Sequence, residues 1–453
     1  MISSWSSAVA TVNFAQRITP PQTFAAACVL HLCALGTAWW HTSGALVSSG
    51  APGSRLVALG RLAGLLGGSA VLLQLALVSR LPWLEPSVGC DRLYRLHRYV
   101  GFVVAPLLLG HPVLLIRGYA RQYEVSLSQQ FIDIAKGWPY APAAIVAILI
   151  IVLVVTSSLP PIKRRLTYDA WHAGHLAMYL AISLASLHQA SGAEMLKQPW
   201  WRWYWVILHV VVIGALVVFR AGRPVFNLAR HRFRIDKVIS ESDDVTSVYL
   251  TGRHLERFSF RAGQYTNVAF LTKGLWAPHP FSFSAAPNGR FLRLSIKVVG
   301  DFTRRVRDLQ PGSPVLLEGP LGAFTAEEST GGKYLMVAGG IGITPIRALI
   351  ESLAAGDHDV VLVYGAKTVD ELVFAGELRA LTPRCHFVVS RANDGDNGYE
   401  RGRIDRAMLE RLVADAPERE AFVCGPPPMM NAVIGALRAL GMRGSRIHYE
   451  RFA

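Results

Sequence analysis

Cysteine is scarce in this chain, since only five of its 453 residues are Cys. They stand at unrelated spacings, at Cys28, Cys33, Cys90, Cys385 and Cys424. These spacings match neither a disulfide framework nor a zinc-ligand pattern, so the sequence predicts neither. An EF-hand loop is also missing, which argues against gating by calcium.

Acidic side chains are nearly absent from the first half of the chain. Residues 1–222 contain six Asp or Glu, and the whole chain has 31 against 46 Lys and Arg, giving a formal net charge of +15. No basic stripe or binding motif accompanies this excess, so nucleic acid is not a predicted partner. The charge is expected to serve membrane topology and anionic headgroups, or to attract an anionic substrate such as a phosphorylated nucleotide.

Long apolar runs fill the first half instead. Each run approaches the ~20 residues that cross ~30 Å of hydrocarbon. No basic segment with a convincing cleavage site precedes the first run, so we expect it to be retained. The six predicted spans are Gln22–His41, Val57–Val78, Leu96–Ile116, Ala141–Ser158, Ala170–His188 and Trp203–Phe219.

Basic residues between the spans predict the orientation. One set of loops carries Arg80, Arg92, Arg95, Arg98, Lys163, Arg164, Arg165, Arg220, Arg223 and Arg230. The opposite loops carry fewer, mainly Arg55, Arg117, Arg121, Lys136 and Lys197. By the positive-inside rule, both termini and the second half of the chain are expected in the cytoplasm. The prediction is a multi-pass protein of the cytoplasmic membrane, with lipid as a partner.

Four histidines in these spans stand at depth-matched intervals. His97 and His111 are fourteen residues apart, or ~21 Å along one helix face, and His175 and His188 are thirteen apart, or ~20 Å. The third and fifth spans run in the same direction, so His97 can face His175 and His111 can face His188. Each level then offers two imidazoles, as a six-coordinate haem iron requires.

Alternatives to this pairing remain open. Thirteen residues are ~3.6 turns, so His175 and His188 share a face only if the helix bends or changes its winding. His172 is a competing ligand that matches the depth of the partner helix less well. A single intramembrane histidine usually bonds to a neighbouring helix or lines a proton path. It is the two matched pairs together that favour haem.

Short strands in residues 233–324 predict a small antiparallel barrel with a flavin site. A flavin needs an aromatic wall, a hydrogen-bond donor near the atom that accepts hydride, and cations or amides at its pyrophosphate. The HPFS string can supply the first two, and the segment IKVVGDFT can supply the third. The candidate residues are His279, Pro280, Phe281, Ser282, Lys297, Gly300, Asp301 and Thr303.

After residue 324 the pattern changes to alternating strands and helices. The stretch YLMVAGGIGITPIRALIESL, residues 334–353, predicts a strand, a glycine-rich turn and an amphipathic helix. Such a turn lets the backbone approach a pyrophosphate at the helix N-terminus, although these glycines do not follow the GxGxxG spacing. The candidate residues here are Gly339, Gly340, Gly342 and Thr344.

The histidine intervals, HPFSFS, GGIGITP and FVCGPPPMM occur in an order that resembles the ferric reductase and NADPH oxidase superfamily. The resemblance runs from about residue 22 to the end. It implies a multidomain membrane protein with an all-α six-helix transmembrane bundle (1–222), an antiparallel β-barrel FAD domain (223–328) and an α/β Rossmann-like nucleotide-binding domain (329–453).

The same resemblance implies which residues hold the cofactors in the membrane. His97 and His175 would hold the cytoplasmic-side b-type haem as metal ligands, and His111 and His188 the outer one. Arginines near the cytoplasmic helix ends can pair with haem propionates, or can anchor the helices at lipid headgroups. They are Arg95, Arg98, Arg164 and Arg165.

For the second half, the resemblance implies roles around the flavin and the nicotinamide. Ser282 and Cys424 would assist hydride transfer, with Gly425 and Pro426 beside the nicotinamide, although Cys424 taken alone reads as a buried structural residue. Phe452 would cover the flavin.

Ser390 and Arg391 follow a strand where relatives that prefer NADPH bind its 2′-phosphate, and Lys367 can assist. A solvated loop arginine is the alternative. The expected cofactors are therefore FAD, two b-type haems and NADPH rather than NADH.

The implied reaction passes electrons from cytoplasmic NADPH through FAD and the haems to a small-molecule acceptor outside. Oxygen, giving superoxide, is the expected acceptor, and a ferric chelate is the alternative. In a further alternative, the spans only anchor a flavin reductase that uses no haem. The sequence predicts no oligomeric state.

Overall fold

The computed structural model describes residues 20–192, 197–326, 332–391 and 398–451, so Phe452 lies outside the described residues. The chain divides into two compact units. One consists of residues 1–71, 102–155 and 177–206, and the other of residues 72–101, 156–176 and 207–453. The first unit is helical, and the second contains all of the described strands. The domain boundaries at 222 and 328 stay predictions.

Helices make up the described part of residues 20–231. An apolar run in lipid has to satisfy its backbone groups internally, which favours helices. The helices are α1 (Pro20–Ser48), α2 (Ser54–Val78), α3 (Glu85–Val88), α4 (Cys90–Gln122), α5 (Leu127–Gly137), α6 (Ala141–Ser158), α7 (Pro160–Lys163), α8 (Tyr168–Ala190), α9 (Pro199–Ala215) and α10 (Arg223–His231), with a π-helical segment at Leu216–Gly222.

Five helices in the described part of the chain are long and apolar enough to cross a membrane. They correspond to five of the six predicted spans. Helix α8, the predicted fifth span, has 23 residues but is not among the five. Its three histidines and Asp169 lower its mean hydropathy. The prediction of six spans is therefore not confirmed, because the histidines that make α8 a candidate ligand helix also make it less apolar.

Two antiparallel three-stranded sheets follow. One has the order β1 (Arg234–Ser242), β2 (Val245–Thr251), β5 (Leu292–Lys297), and the other β4 (His279–Ser282), β3 (Tyr265–Phe270), β6 (Val315–Leu321). Isolated bridges join Arg234 to Pro314 and Phe283 to Leu294. Alternate residues of the strands enter one shared apolar core, as in β6, where burial alternates along the strand. The strands agree with the prediction, whereas a closed barrel is not confirmed.

The last part of the chain is a six-stranded parallel sheet with helices on both faces. Its order is β10 (Glu400–Arg401), β9 (Arg384–Val389), β8 (Asp359–Ala366), β7 (Lys333–Gly339), β11 (Glu420–Cys424), β12 (Ile447–Glu450). The helices on these faces are α12 (Ile343–Leu353), α13 (Ala375–Leu381), α14 (Arg406–Leu412) and α15 (Pro427–Ala439). A short helix, α11 (Asp301–Arg305), precedes this sheet and lies between β5 and β6.

Alternate residues of the central strand β7 serve different cores. Met336 packs with helices α12 and α13, whereas Leu335 and Val337 pack with α14 and α15. The strand order changes direction between β7 and β11, and open α/β sheets bind ligands at the carboxyl ends of the strands at such a point. Gly339 and Cys424 end these two strands.

Gly263, in the turn before β3, has a left-handed backbone with φ of +90° and lies against the backbone of Phe324. A Cβ there would overlap the Phe324 carbonyl oxygen. Gly312 is also left-handed, with φ of +83°, but a Cβ there would meet nothing within 4 Å.

We therefore expect Gly263→Ala to lower the free energy of unfolding more than Gly312→Ala. Left-handed backbone costs an L-residue about 1–2 kcal/mol in both variants, and the overlap adds to this only at Gly263. Thermal unfolding of the two purified variants measures the difference. Equal losses would show that the close approach to Phe324 has no energetic weight.

Candidate cofactor sites

Two pairs of imidazoles face each other between helices α4 and α8. The ring centres of His97 and His175 are 6.3 Å apart, and those of His111 and His188 are also 6.3 Å apart. Two metal–imidazole bonds of about 2 Å, with about 1.1 Å from each bonding nitrogen to its ring centre, place two axial ring centres about 6.2 Å apart. Both pairs therefore have the separation of two axial ligands to one metal.

Backbone carbonyls orient the α4 member of each pair. His111 Nδ1 is 2.8 Å from the carbonyl oxygen of Gly60, and His97 Nδ1 is 3.3 Å from that of Gln74. An Nδ1–H that donates to a carbonyl leaves Nε2 as the basic nitrogen, which is the usual arrangement of a metal-bound histidine. Two imidazoles with free Nε2 atoms suit an iron whose other four ligands come from a porphyrin.

The α8 members, His175 and His188, are held differently. Their Nδ1 atoms are buried and lack a well-aligned hydrogen-bond partner among the described residues, although the Pro139 carbonyl interacts with His188. The ring of Trp171 lies 5.2 Å from that of His175. His175 is thus the residue that the structure brings opposite His97, while His172 lies beside Trp171 with ring centres 6.5 Å apart.

Glycines of α2 let the backbone reach His111. A Cβ at Gly64 would lie 2.6 Å from His111 Nδ1, and one at Gly60 would lie 2.9 Å from Leu115 Cδ2. Gly67 makes a similar approach to Leu108. These glycines were not among the predicted site residues, although the small-residue spacing GRLAGLLGG is a known signal of close helix packing in membranes.

Cations cluster beside His175. Lys163 Nζ lies 3.8 Å from the centre of the Trp171 ring. Burial, and secondly the charge of Arg98, lower the pKa of Lys163, so two like charges are near each other. An anionic group such as a carboxylate of a bound ligand would relieve their repulsion. Of the arginines predicted to serve this purpose, Arg98 lies near Lys163. Arg95, Arg98, Arg164 and Arg165 are all exposed.

The predicted flavin wall is formed in part by a residue that the sequence analysis missed. The ring of Phe302 stacks on His279 with centres 3.8 Å apart, and on Phe281 with centres 6.2 Å apart. Ser282 is buried and pairs in register with Tyr265 across β3 and β4, as Pro280 does with Asn267. Phe302 follows Ser282 by twenty residues and lies within IKVVGDFT, a segment that was predicted to act only at the pyrophosphate.

The residues predicted at the flavin pyrophosphate have ion pairs or hydrogen bonds within the protein. Lys297 Nζ lies 2.9 Å from Asp244 Oδ2 and 3.8 Å from Glu371 Oε2. The Thr303 hydroxyl accepts hydrogen bonds from the backbone N–H groups of Val299 and Gly300, at 2.8 and 3.0 Å. Asp301 is exposed and lies 3.4 Å from Arg304. Charge and amides in this turn are therefore already partly compensated within the protein.

Glycines bring the ends of β7 and β11 into backbone contact. A Cβ at Gly342 would overlap the Cys424 carbonyl, and one at Gly425 would lie 3.0 Å from Gly339 Cα. Gly340 is left-handed, with φ of +52°, and a Cβ there would meet nothing within 4 Å. The open side of this turn therefore lies at Gly340, at the switch point of the sheet.

Three further candidates border this turn. The Thr344 hydroxyl donates to the Ile341 carbonyl at 3.0 Å, so it stabilises the turn itself. Cys424 is fully buried, with Pro426 following at the start of α15. Burial, assisted by the charge of Glu450, raises the pKa of the Cys424 thiol well above its ordinary value, so it stays neutral and is not a thiolate nucleophile.

Ser390 and Arg391 lie directly after β9, beside Lys367. The N–H of Ser390 donates to the Ala366 carbonyl at 3.0 Å, and the N–H of Arg391 donates to the Lys367 carbonyl at 2.8 Å. Both side chains are exposed, and residues 392–397 lie outside the described part. A hydroxyl and two cations thus stand at one edge of the sheet, as a phosphate ligand would require.

We expect Gly342→Ala to raise the KM for the nicotinamide nucleotide by about tenfold, which is about 1.4 kcal/mol. The added Cβ would displace the Cys424 carbonyl and widen the turn. Gly435→Ala in α15 is the control, because its Cβ would meet nothing within 4 Å. Steady-state kinetics with a soluble dye acceptor measure both variants, and equal KM values would contradict a site at this turn.

Known proteins resemble about half of this chain. The chain is 30% identical over 238 residues to the glycine betaine monooxygenase reductase subunit of Chromohalobacter salexigens, covering 49% of this chain and 64% of the relative. It is 32% identical over 245 residues to a flavohemoprotein of Chromobacterium violaceum, covering 49% and 60%. The chain thus spans a little under two thirds of the length of these curated relatives.

Solved structures match over a similar share. A ferredoxin reductase in carbazole 1,9a-dioxygenase is 24% identical, with a TM-score of 0.44, and the match covers 49% of this chain and 68% of that one. The FAD/NAD-binding domain of nitric oxide dioxygenase from Vibrio cholerae is 25% identical, with a TM-score of 0.44, over 49% and 99%.

Three family models match successive parts of the chain. They are the ferric reductase like transmembrane component at residues 63–186, an FAD-binding domain at 230–324 and an oxidoreductase NAD-binding domain at 336–434. The helical part is therefore a membrane component, and FAD and NAD(P)H domains follow it. The three matches, in this order, give the chain the domain architecture of the ferric reductase and NADPH oxidase superfamily.

Proposed function

We propose that this chain carries electrons across a membrane, from cytoplasmic NADPH to dioxygen on the outer side, which is reduced to superoxide. The observation that carries the proposal is the equal 6.3 Å separation of two facing histidine pairs on the same two helices. When bound, FAD takes a hydride from NADPH, and two b-type haems pass its electrons on one at a time.

In this proposal the four histidines would hold the two haems. His97 and His175 would hold the inner haem, and His111 and His188 would hold the outer one. The carbonyls of Gln74 and Gly60 keep Nδ1 of the α4 histidines protonated, so that Nε2 can bind iron. Arg98 and Lys163, whose like charges lie near each other, would pair with the carboxylates of the inner haem.

The soluble residues position the nucleotide and the flavin, and none acts as a nucleophile. The stack of His279, Phe302 and Phe281 and the buried Ser282 bound the flavin ring. Cys424 is a neutral, buried thiol that excludes water where the nicotinamide lies. Exposed Ser390 and Arg391, with Lys367, bind the 2′-phosphate, which selects NADPH over NADH.

In this proposal both termini lie in the cytoplasm and the protein lies in the cytoplasmic membrane, with anionic lipid headgroups as partners. The positive charge between the spans supports this orientation by the positive-inside rule. Dioxygen fits the relay because it accepts single electrons and needs only an exposed haem edge.

Reconstituted vesicles test the proposal. NADPH is added on the side of the soluble domains, and dye reduction sensitive to superoxide dismutase is followed on the opposite side, with ferrous-chelate formation measured in parallel. We expect about two haems per chain and superoxide as the main product.

His188→Ala should lose about half of the haem and nearly all transmembrane reduction, whereas the exposed His41→Ala should retain both.

The possible results separate the candidates. A haem-free preparation that still reduces free flavin would contradict the relay and favour a membrane-anchored flavin reductase. Full haem content with ferrous chelate as the product and no superoxide would instead make the chain a ferric-chelate reductase.

A second expectation concerns the outer haem alone. Gly64→Ala would place a methyl group 2.6 Å from His111 Nδ1 and turn the ring away from the Gly60 carbonyl. We expect this variant to lose much of the outer haem and to keep the inner one. Gly110→Ala, next to His111 but with nothing within 4 Å of its Cβ, is the matched control. Reduced-minus-oxidised spectra of both variants give the haem content; identical spectra would rule out this role of Gly64.

A further inference from the structure

Arg80 lies in the turn after α2 and is buried in spite of its charge. Only 6% of its surface is exposed, and its backbone is left-handed, with φ of +61°. A buried guanidinium is costly unless it is paired, and a left-handed non-glycine residue adds strain. The surrounding structure must therefore offset both costs.

Two carboxylates and a thiol surround the guanidinium. Arg80 Nε donates to Glu318 Oε1 at 3.3 Å, and another nitrogen lies 3.9 Å from Glu85 Oε1 and donates to Cys90 Sγ. The Cys90 thiol in turn donates to Glu85 Oε1 at 3.2 Å. We call Arg80, Glu85, Cys90 and Glu318 the Arg80 cluster.

The cluster joins helical segments to the sheet that carries the flavin candidates. Glu318 lies in β6 and accepts a hydrogen bond from Asn267 of β3. Glu85 Oε1 accepts from the N–H of Gly322, directly after β6, at 3.3 Å. Cys90 also bonds to the Tyr265 hydroxyl. Each member thus connects the segment around α3 with β3 or β6.

Both sides of this connection lead to a proposed cofactor. Tyr94, whose ring lies under the Arg80 guanidinium at 5.3 Å, precedes His97 by three residues on α4, or about one helical turn. On the other side, Tyr265 is paired in register with Ser282 across β3 and β4. The Arg80 cluster therefore lies between the holder of the inner haem and the strands that bound the flavin.

We propose that the Arg80 cluster is the positioning element for electron transfer from the flavin to the inner haem, an inference that rests on the function proposed above. None of Arg80, Glu85, Cys90 and Glu318 is among the residues proposed to hold either cofactor. They fix the start of α4 on β3 and β6, so that the separation between the two redox groups does not fluctuate. A shift of about 1 Å between reacting groups can cost on the order of a hundredfold in rate.

The test separates two electron steps in the purified, haem-loaded protein. Arg80→Met removes the positive charge and the planar, fork-shaped set of N–H donors of the guanidinium. Arg92 is exposed on the same segment, so Arg92→Met is the matched control. Anaerobic stopped-flow mixing with NADPH follows flavin bleaching and haem reduction separately. In Arg80→Met we expect unchanged haem content and flavin reduction within about twofold, with haem reduction slowed at least about tenfold. Arg80→Lys, which keeps the charge but not the fork, should recover part of the rate.

Glu318→Gln keeps the shape of the side chain and carries the test if Arg80→Met does not fold. It should show the same selective slowing of haem reduction. Haem reduction as fast as in Arg92→Met would overturn the proposal, and so would equal slowing of both steps, which marks a purely structural role. Purified wild-type protein that contains no haem would overturn the proposed function itself. Its haem content is therefore measured before any variant is compared.

Discussion

The 6.3 Å separation between facing imidazoles depends on how closely α2 approaches α4. Gly64 leaves no side chain between the helices, so the Gly60 carbonyl can accept the Nδ1–H of His111. With Nδ1 engaged, Nε2 is free to point at the partner ring on α8. A larger residue at position 64 would disturb the tautomer and the ring orientation together. The candidate metal ligands are therefore controlled by residues that bind nothing themselves.

Close backbone approach is used again in the soluble part. Gly263 lies against the Phe324 carbonyl in the turn before β3, and Gly342 lies against that of Cys424 at the proposed nucleotide site. A side chain at either position would push the two contacting segments apart. Elsewhere in this region charges are compensated internally, as between Lys297 and Asp244. The sites thus depend on shape and burial more than on free charge.

Part of the architecture could be predicted locally. The strand–turn–helix predicted at residues 334–353 is found as β7 and α12. Histidine spacing predicted the two pairs, and the structure brings His97 and His175 together. The prediction of six apolar spans was less successful, because the polar histidines of α8 lower the very signal by which a span is recognised. Neither the stacking of Phe302 on His279 nor the burial of Arg80 was predicted, since both depend on partners that no local pattern links, such as Glu318 at 238 positions from Arg80.

By itself, the sequence determined the order of the parts and the chemistry available in each, because apolar runs, strand alternation and motif spacing are local properties. It also placed two imidazoles at matching depths on each of two helices. Only the tertiary structure decided that His175 faces His97, that Lys297 is paired with Asp244, and that Arg80 is buried between two carboxylates. Such pairings depend on which distant backbones come close, and that is decided by packing of the whole chain rather than by the pattern of any one segment.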